Sequence, residues 1–91
     1  MSFISNYAAV SLTSSASLIV VANNQRKGIL IVNNGAGTAY FGMDVNVTTS
    51  NGLPITANGS LNLTGLYDAW RGNIYGISAS TSDIRFWEWG L

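Results

Sequence analysis

Apolar residues fall along this chain in short runs that are alternating or continuous, and none keeps a helical period. Residues 16–22 (ASLIVVA) and 28–33 (GILIVN) are β-branched runs around NNQRK, whose asparagines suit a turn or short loop. Both runs are apolar on consecutive positions, the pattern of strands covered on both faces. NNGAG at 33–37 reads as a second turn, followed by TAYFG at 38–42. SLNLT at 60–64 alternates, with Leu61 and Leu63 on one face. NIYGISA at 73–79 and DIRFWEW at 83–89 complete the set around STS. No stretch holds a 3.6-residue apolar period for three turns, and glycine interrupts most windows. About six to eight short antiparallel strands, with turn signals roughly every 8 to 12 residues, predict an all-β fold: one small, jelly-roll-like β-sandwich. Residues 1–91 form a single domain with no linker or repeat, and residues 1–10 read as an extended N-terminal arm.

Turn chemistry concentrates in 44–60 (DVNVTTSNGLPITANGS), most densely at 47–55 (VTTSNGLPI). Asn51 and Gly52 tolerate positive φ, while Pro54 fixes φ and removes a ladder donor, so it belongs at a strand edge or corner. Asn58 and Gly59 supply the next turn. The stretch is expected to be the rim where the chain passes from one sheet to the other, although loops on a rigid sandwich also carry binding.

Composition alters this picture in one direction. Charged residues are 9% of the chain, against roughly 25% in an average globular protein. Four basic groups (Arg26, Lys27, Arg71, Arg85) balance four acidic ones (Asp44, Asp68, Asp83, Glu88). Low surface charge at zero net charge favours association, and 47% hydrophobic content excludes a disordered chain. An obligate homo-oligomer, or a subunit of a larger assembly, is expected.

The chain has no cysteine and no histidine, so thiolate metal sites, disulfides and the commonest general base are excluded. Its first residues lack a basic segment, and its longest apolar runs fall far short of the ~20 residues that cross a bilayer. The expectation is assembly in the cytoplasm, without a membrane. Residues 44–48 (DVNVT) begin like a calcium loop, but the sixth and twelfth positions hold Thr49 and Ile55 instead of glycine and glutamate. Gly35-Ala36-Gly37 lacks the third glycine of a dinucleotide fingerprint and precedes a strand. Asn46, Asn58 and Asn62 open formal glycosylation triplets in a chain rich in Asn, Ser and Thr. The acids are scattered, and four cations at zero net charge do not make a phosphate-binding surface. No enzyme activity, cofactor, metal or nucleic acid is expected.

The aromatic residues stand out. Residues 66–72 (LYDAWRG) read as a loop with two large rings, and the chain ends in Phe86-Trp87-Glu88-Trp89 before its last two residues. Alternation puts Ile84, Phe86 and Glu88 on one face of the last strand, with Arg85, Trp87 and Trp89 on the other. If the first face enters the core, the second is an exposed apolar patch of the kind found at interfaces. Trp87, Trp89 and Arg85 are therefore the candidate subunit interface. Tyr67, Trp70, Arg71, Arg26 and Lys27 are candidate contacts to a further partner, with a solvated turn as the plainer reading of Arg26-Lys27. A sugar platform is a lesser use of the same rings.

Several segments together resemble a known family. RKGILIVNNG at 26–35, AYFG at 39–42, NGLPI at 51–55, Trp70-x-Gly72-x-Ile74-Tyr75-Gly76-Ile77-Ser78 and Asp83-Ile84-Arg85 resemble a small β-sandwich module of tailed-bacteriophage virions. The resemblance covers roughly residues 16 to 86. Relatives often carry Pro-Gly where this chain has Asn58-Gly59, and Trp87-Glu88-Trp89 lies outside the shared pattern. The resemblance implies a capsid decoration (cement) protein, a homotrimer on the outer surface of the phage head whose partner is the major capsid protein. Its alternative is a receptor- or glycan-binding module of a tail fibre or tailspike.

Overall fold

The computed structural model describes residues 4–64, 70–80 and 82–90. The apolar runs become strands β1 (Ile4–Leu12), β2 (Ser17–Val20), β3 (Arg26–Asn33), β4 (Ala39–Gly42), β5 (Leu53–Ile55), β6 (Ser60–Thr64), β7 (Ile74–Ser78) and β8 (Ser82–Gly90). Four of them form sheet A in the order β1-β8-β3-β6, and the others form sheet B in the order β2-β7-β4-β5. Every pairing is antiparallel. The result is an all-β sandwich whose strand order is that of a jelly roll.

Alternation fills the space between the sheets. β3 sends Ile29 and Ile31 inward, β8 sends Ile84 and Phe86, and Leu12, Ile19, Val20, Ala39, Phe41 and Ile74 close the core. Outward residues of the same strands stay partly open: Leu30 and Val32 are half-buried and Leu18 is exposed. The expected two-sided cover of 16–22 and 28–33 is thus corrected. There are two layers, so among the described residues each sheet is covered on one face alone.

One further expectation changes. The segment read as an arm is mostly β1, which pairs along β8 from Ile4↔Gly90 to Leu12↔Ser82. Its serines and asparagine interrupt the apolar pattern, which hid the strand. Within 44–60 the loop between β4 and β5 returns inside sheet B, and the expected crossing to the other sheet comes at 56–59. Pro54 sits in β5, an edge strand, as a proline should. Among the described residues the non-glycine residue with positive φ is Asn58 (φ 65°). Gly52 is required for space, because a Cβ there would lie 2.7 Å from Tyr40 Cβ and 2.9 Å from the Thr48 carbonyl oxygen.

Each end of the β3–β8 pair is closed by a buried polar group. At one end Asn33 donates to the carbonyls of Gly37 (2.8 Å) and Ile55 (2.9 Å), and its Oδ1 accepts from Gly35 N–H (3.0 Å) and Ser82 Oγ (2.8 Å). At the other, Arg26 Nε pairs with Glu88 Oε2 at 2.5 Å. Among the described residues no buried side-chain nitrogen or oxygen lacks a partner.

Candidate functional site

The outer face of sheet A is built by the alternation of β8. Ile84, Phe86 and Glu88 are buried, while Arg85, Trp87 and Trp89 point the other way and are exposed. Register places Tyr7 of β1 and Leu30 of β3 on either side of Trp87. The next row is Ala9, Arg85 and Val32, and the row on the other side is Ser5, Trp89 and Gly28. Tyr7 is 74% exposed, Trp87 66% and Trp89 39%. Shallow apolar grooves flank the Trp87 ring, one toward Ala9, Leu30 and Val32 and one toward Ser5 and Trp89. Gly28 belongs to this design, since a Cβ there would run into the Trp89 ring. The indole lies across the bare backbone and buries it, an aromatic covering a strand glycine.

The ion pair on this face lies at one end. Arg85 Nη2 lies 2.9 Å from Asp83 Oδ2, and Asn34 Nδ2 donates to the same oxygen (3.1 Å). The Arg85 hydrogen bond, then the one from Asn34, holds the Asp83 carboxyl below its ordinary value of 3.8. The same pairing raises the Arg85 guanidinium above its ordinary value. Both side chains remain open to solvent, so the pair is a screened surface contact. Among the described residues no group of three or more His, Cys, Asp or Glu could hold a metal ion. Asp44 and Asn46 are engaged in their own turn, with Asp44 Oδ1 accepting from Asn46 N–H at 2.9 Å.

No protein-family model, curated protein or solved structure matches this chain.

The fold brings Trp87, Trp89 and Arg85 onto one surface and scatters the second candidate set. Tyr67 lies outside the described residues. Trp70 is partly exposed, its Nε1 donates to the Asn73 carbonyl (2.8 Å), and its ring occupies the space a Cβ at Gly72 would need. Arg71 is half-buried and donates from Nε to the Arg26 carbonyl (2.9 Å). Lys27 is half-buried in the strand.

Arg26 is the clear correction: it is neither a solvated turn residue nor an exposed contact, but fully buried. Opposite β8 the register runs Arg26↔Gly90 and then Gly28↔Trp89, so Lys27 is an extra residue at a bulge. Regular alternation would put Arg26 outside with Gly28 and Leu30. The bulge turns it inward. There its guanidinium meets Glu88 and donates to the carbonyls of Trp70 (2.8 Å), Gly72 (3.1 Å) and Val21 (2.8 Å). A signal was present in the sequence: a carboxylate on the Ile84–Phe86 face needs a cation once that face is buried.

Tyr7 is the residue of this exposed face that sequence reasoning missed. It belongs to the segment read as an arm, and only pairing with β8 brings it beside Trp87.

Proposed function

We propose that the chain is a non-catalytic structural protein of a tailed-phage virion. It assembles as a homo-oligomer through the outer face of sheet A and decorates the outer surface of the head. The observation that carries the oligomer is the row Tyr7–Trp87–Leu30, aromatic and open, on a chain of which 9% is charged. Exposed aromatic patches on so weakly charged a protein favour association. The virion assignment is supported by the resemblance of residues 16 to 86. Jelly rolls recur in viral capsid domains, but a fold alone does not assign a role.

In this reading the protein acts mechanically. A protein that binds the assembled lattice and not the free subunit adds its binding free energy to the stability of the shell. A trimer matches local three-fold positions, where three weak contacts act together. Fluorescently labelled protein, added to virions of the phage that encodes it, is expected to cover the head. A label confined to the tail would assign the receptor-binding module instead, and no binding would overturn the virion reading. Separately, Trp87→Ala is expected to shift the protein to a smaller species or to aggregate in light scattering. A tryptophan at an interface centre commonly contributes about 2 kcal/mol or more. A full-size oligomer that only melts earlier would remove the face from the interface.

A further inference from the structure

Strand β1 is the edge of sheet A: β8 lies along one side and no described strand lies along the other. Residues 5–9 are exposed on both faces as well as at the free edge. The outward residues Ser5, Tyr7 and Ala9 are open, and so are the inward residues Asn6 and Ala8. Further along the same inward face Val10 is half-buried and Leu12 fully buried. Cover from sheet B thus fades toward the N-terminal half of β1. An unpaired edge is normally blunted by charge, proline or a bulge. None is present here: β1 reads ISNYAAVSL, its register with β8 is unbroken, and residues 1–25 contain no charged side chain.

We infer that residues 5–9 of β1 pair antiparallel with the same residues of a second copy about a two-fold axis through Tyr7, extending sheet A from four strands to eight. A free row of backbone N–H and C=O groups is met most completely by another strand. The chemistry selects a copy over a foreign peptide. A neutral edge meets its own kind without like-charge repulsion, and the side chains along it offer neither a charge nor a pocket by which another sequence would be read. The segment is also self-complementary. Centred on Tyr7, it sets Ser5 against Ala9, Asn6 against Ala8 and Tyr7 against Tyr7, so small side chains meet polar ones and the two large rings meet each other. Since Tyr7 is level with Trp87, the seam would carry a row of four aromatics, one Trp–Tyr pair from each copy. The pairing uses backbone groups and leaves the outer surfaces of Trp87 and Trp89 free. It does not depend on the virion assignment, and it can link larger oligomers across two-fold positions.

The absence of cysteine makes the test direct. Directly opposed residues in an antiparallel pair have Cβ atoms about 4.5–5.5 Å apart, close enough for a disulfide after small adjustment. Tyr7→Cys, oxidised and run on a non-reducing denaturing gel, is expected to give a covalent pair of chains whatever the native oligomer. Ser5→Cys and Ala9→Cys should each remain mostly single but join when mixed, and Ser11→Cys should remain single. In a background with Tyr7 intact, Ala8→Lys is expected to abolish the two-fold contact by bringing like charges to the seam, read as loss of the larger species in sedimentation with the β circular dichroism retained. The inference is overturned if folded Tyr7→Cys stays uncrosslinked, if Ser11→Cys links as readily, or if Ala8→Lys associates like the parent. Virion labelling reads the proposed function separately, and the cysteine links report the β1 seam whatever Trp87→Ala does to the outer face.

Discussion

The two ends of the β3–β8 pair solve one problem with different chemistry. β3 begins at Arg26 and ends at Asn33, and both side chains are fully buried. β8 answers the first with Glu88 and the second with Ser82. At the Asn33 end a neutral amide binds nearby turns, and every bond can be lost singly. At the Arg26 end the guanidinium also holds the carbonyls of Val21, Trp70 and Gly72, so one ion positions two separate stretches of backbone. Removing a partner at the neutral end orphans hydrogen bonds, whereas removing one at the charged end orphans a buried charge. The second loss is the larger.

The largest effect is therefore expected from Arg26→Met or Glu88→Ala alone. Each leaves an uncompensated ion in the interior, a loss of about 3–5 kcal/mol, measurable as a lower midpoint in urea. The double variant Arg26→Met/Glu88→Leu sharpens the contrast. Replacing a buried pair with apolar residues is often neutral, but here the three carbonyls would lose their donor. The double variant should recover only part of the loss. Full recovery to parental stability would break the claim that this end is organised by its hydrogen bonds.

At the neutral end Asn33→Ala leaves the Gly35 N–H, the Ser82 hydroxyl and two carbonyls to find other partners. A loss of about 1–3 kcal/mol is expected, smaller than at Arg26. A larger loss would invert the ranking of the two ends.

These two ends also mark how far the sequence could be read. Sheet class and most strands follow from period and turn residues: 60–64 coincides with β6, and 83–89 falls inside β8. The division of β8 into a core face and a Trp face is a pure period-2 signal. Arg26 escaped because a bulge shifts the phase, and a bulge depends on the partner strand, not on local composition. Asn33 escaped because asparagine is an ordinary turn residue, and its burial arises only when β5, β8 and two turns converge. β1 was missed because SNYAAVS has no strong alternation of its own. Tyr7 gains its meaning from Trp87, distant in sequence and adjacent in the sheet.

The β4–β5 loop tests whether the charged end depends on ions alone. Gly42 is level with Tyr75 and Val20 with Ile74, which places this loop at the Arg26 end of sheet B. Val47 is buried there, and Thr48 N–H donates to Asn51 Oδ1 (2.7 Å). Gly52→Val would push its side chain into Tyr40 and the Thr48 carbonyl, and overpacking of this kind costs about 1–3 kcal/mol. The melting temperature should fall while partner binding by the folded fraction is unchanged. Binding lost at an unchanged melting temperature would make the loop a contact site.

The smallest effect is expected outside the neutral end, where Asp83 and Arg85 form the second ion pair among the described residues. It joins the same residue types of charge as Arg26–Glu88, but water reaches both partners, so screening replaces desolvation as the governing term. Asp83 is held below 3.8 by Arg85 and Asn34. A carboxyl with a depressed folded value contributes stability above its unfolded value and loses it as pH falls through the folded one. The contribution of Asp83 should therefore be complete near neutrality and disappear only in acid, below about pH 4. Arg85→Ala should leave the melting temperature within about 2 °C of the parent and remove most of any salt dependence on this face. If Arg85→Ala destabilises the chain as much as Arg26→Met, burial does not set the value of an ion pair in this fold, and the contrast between its two ends fails.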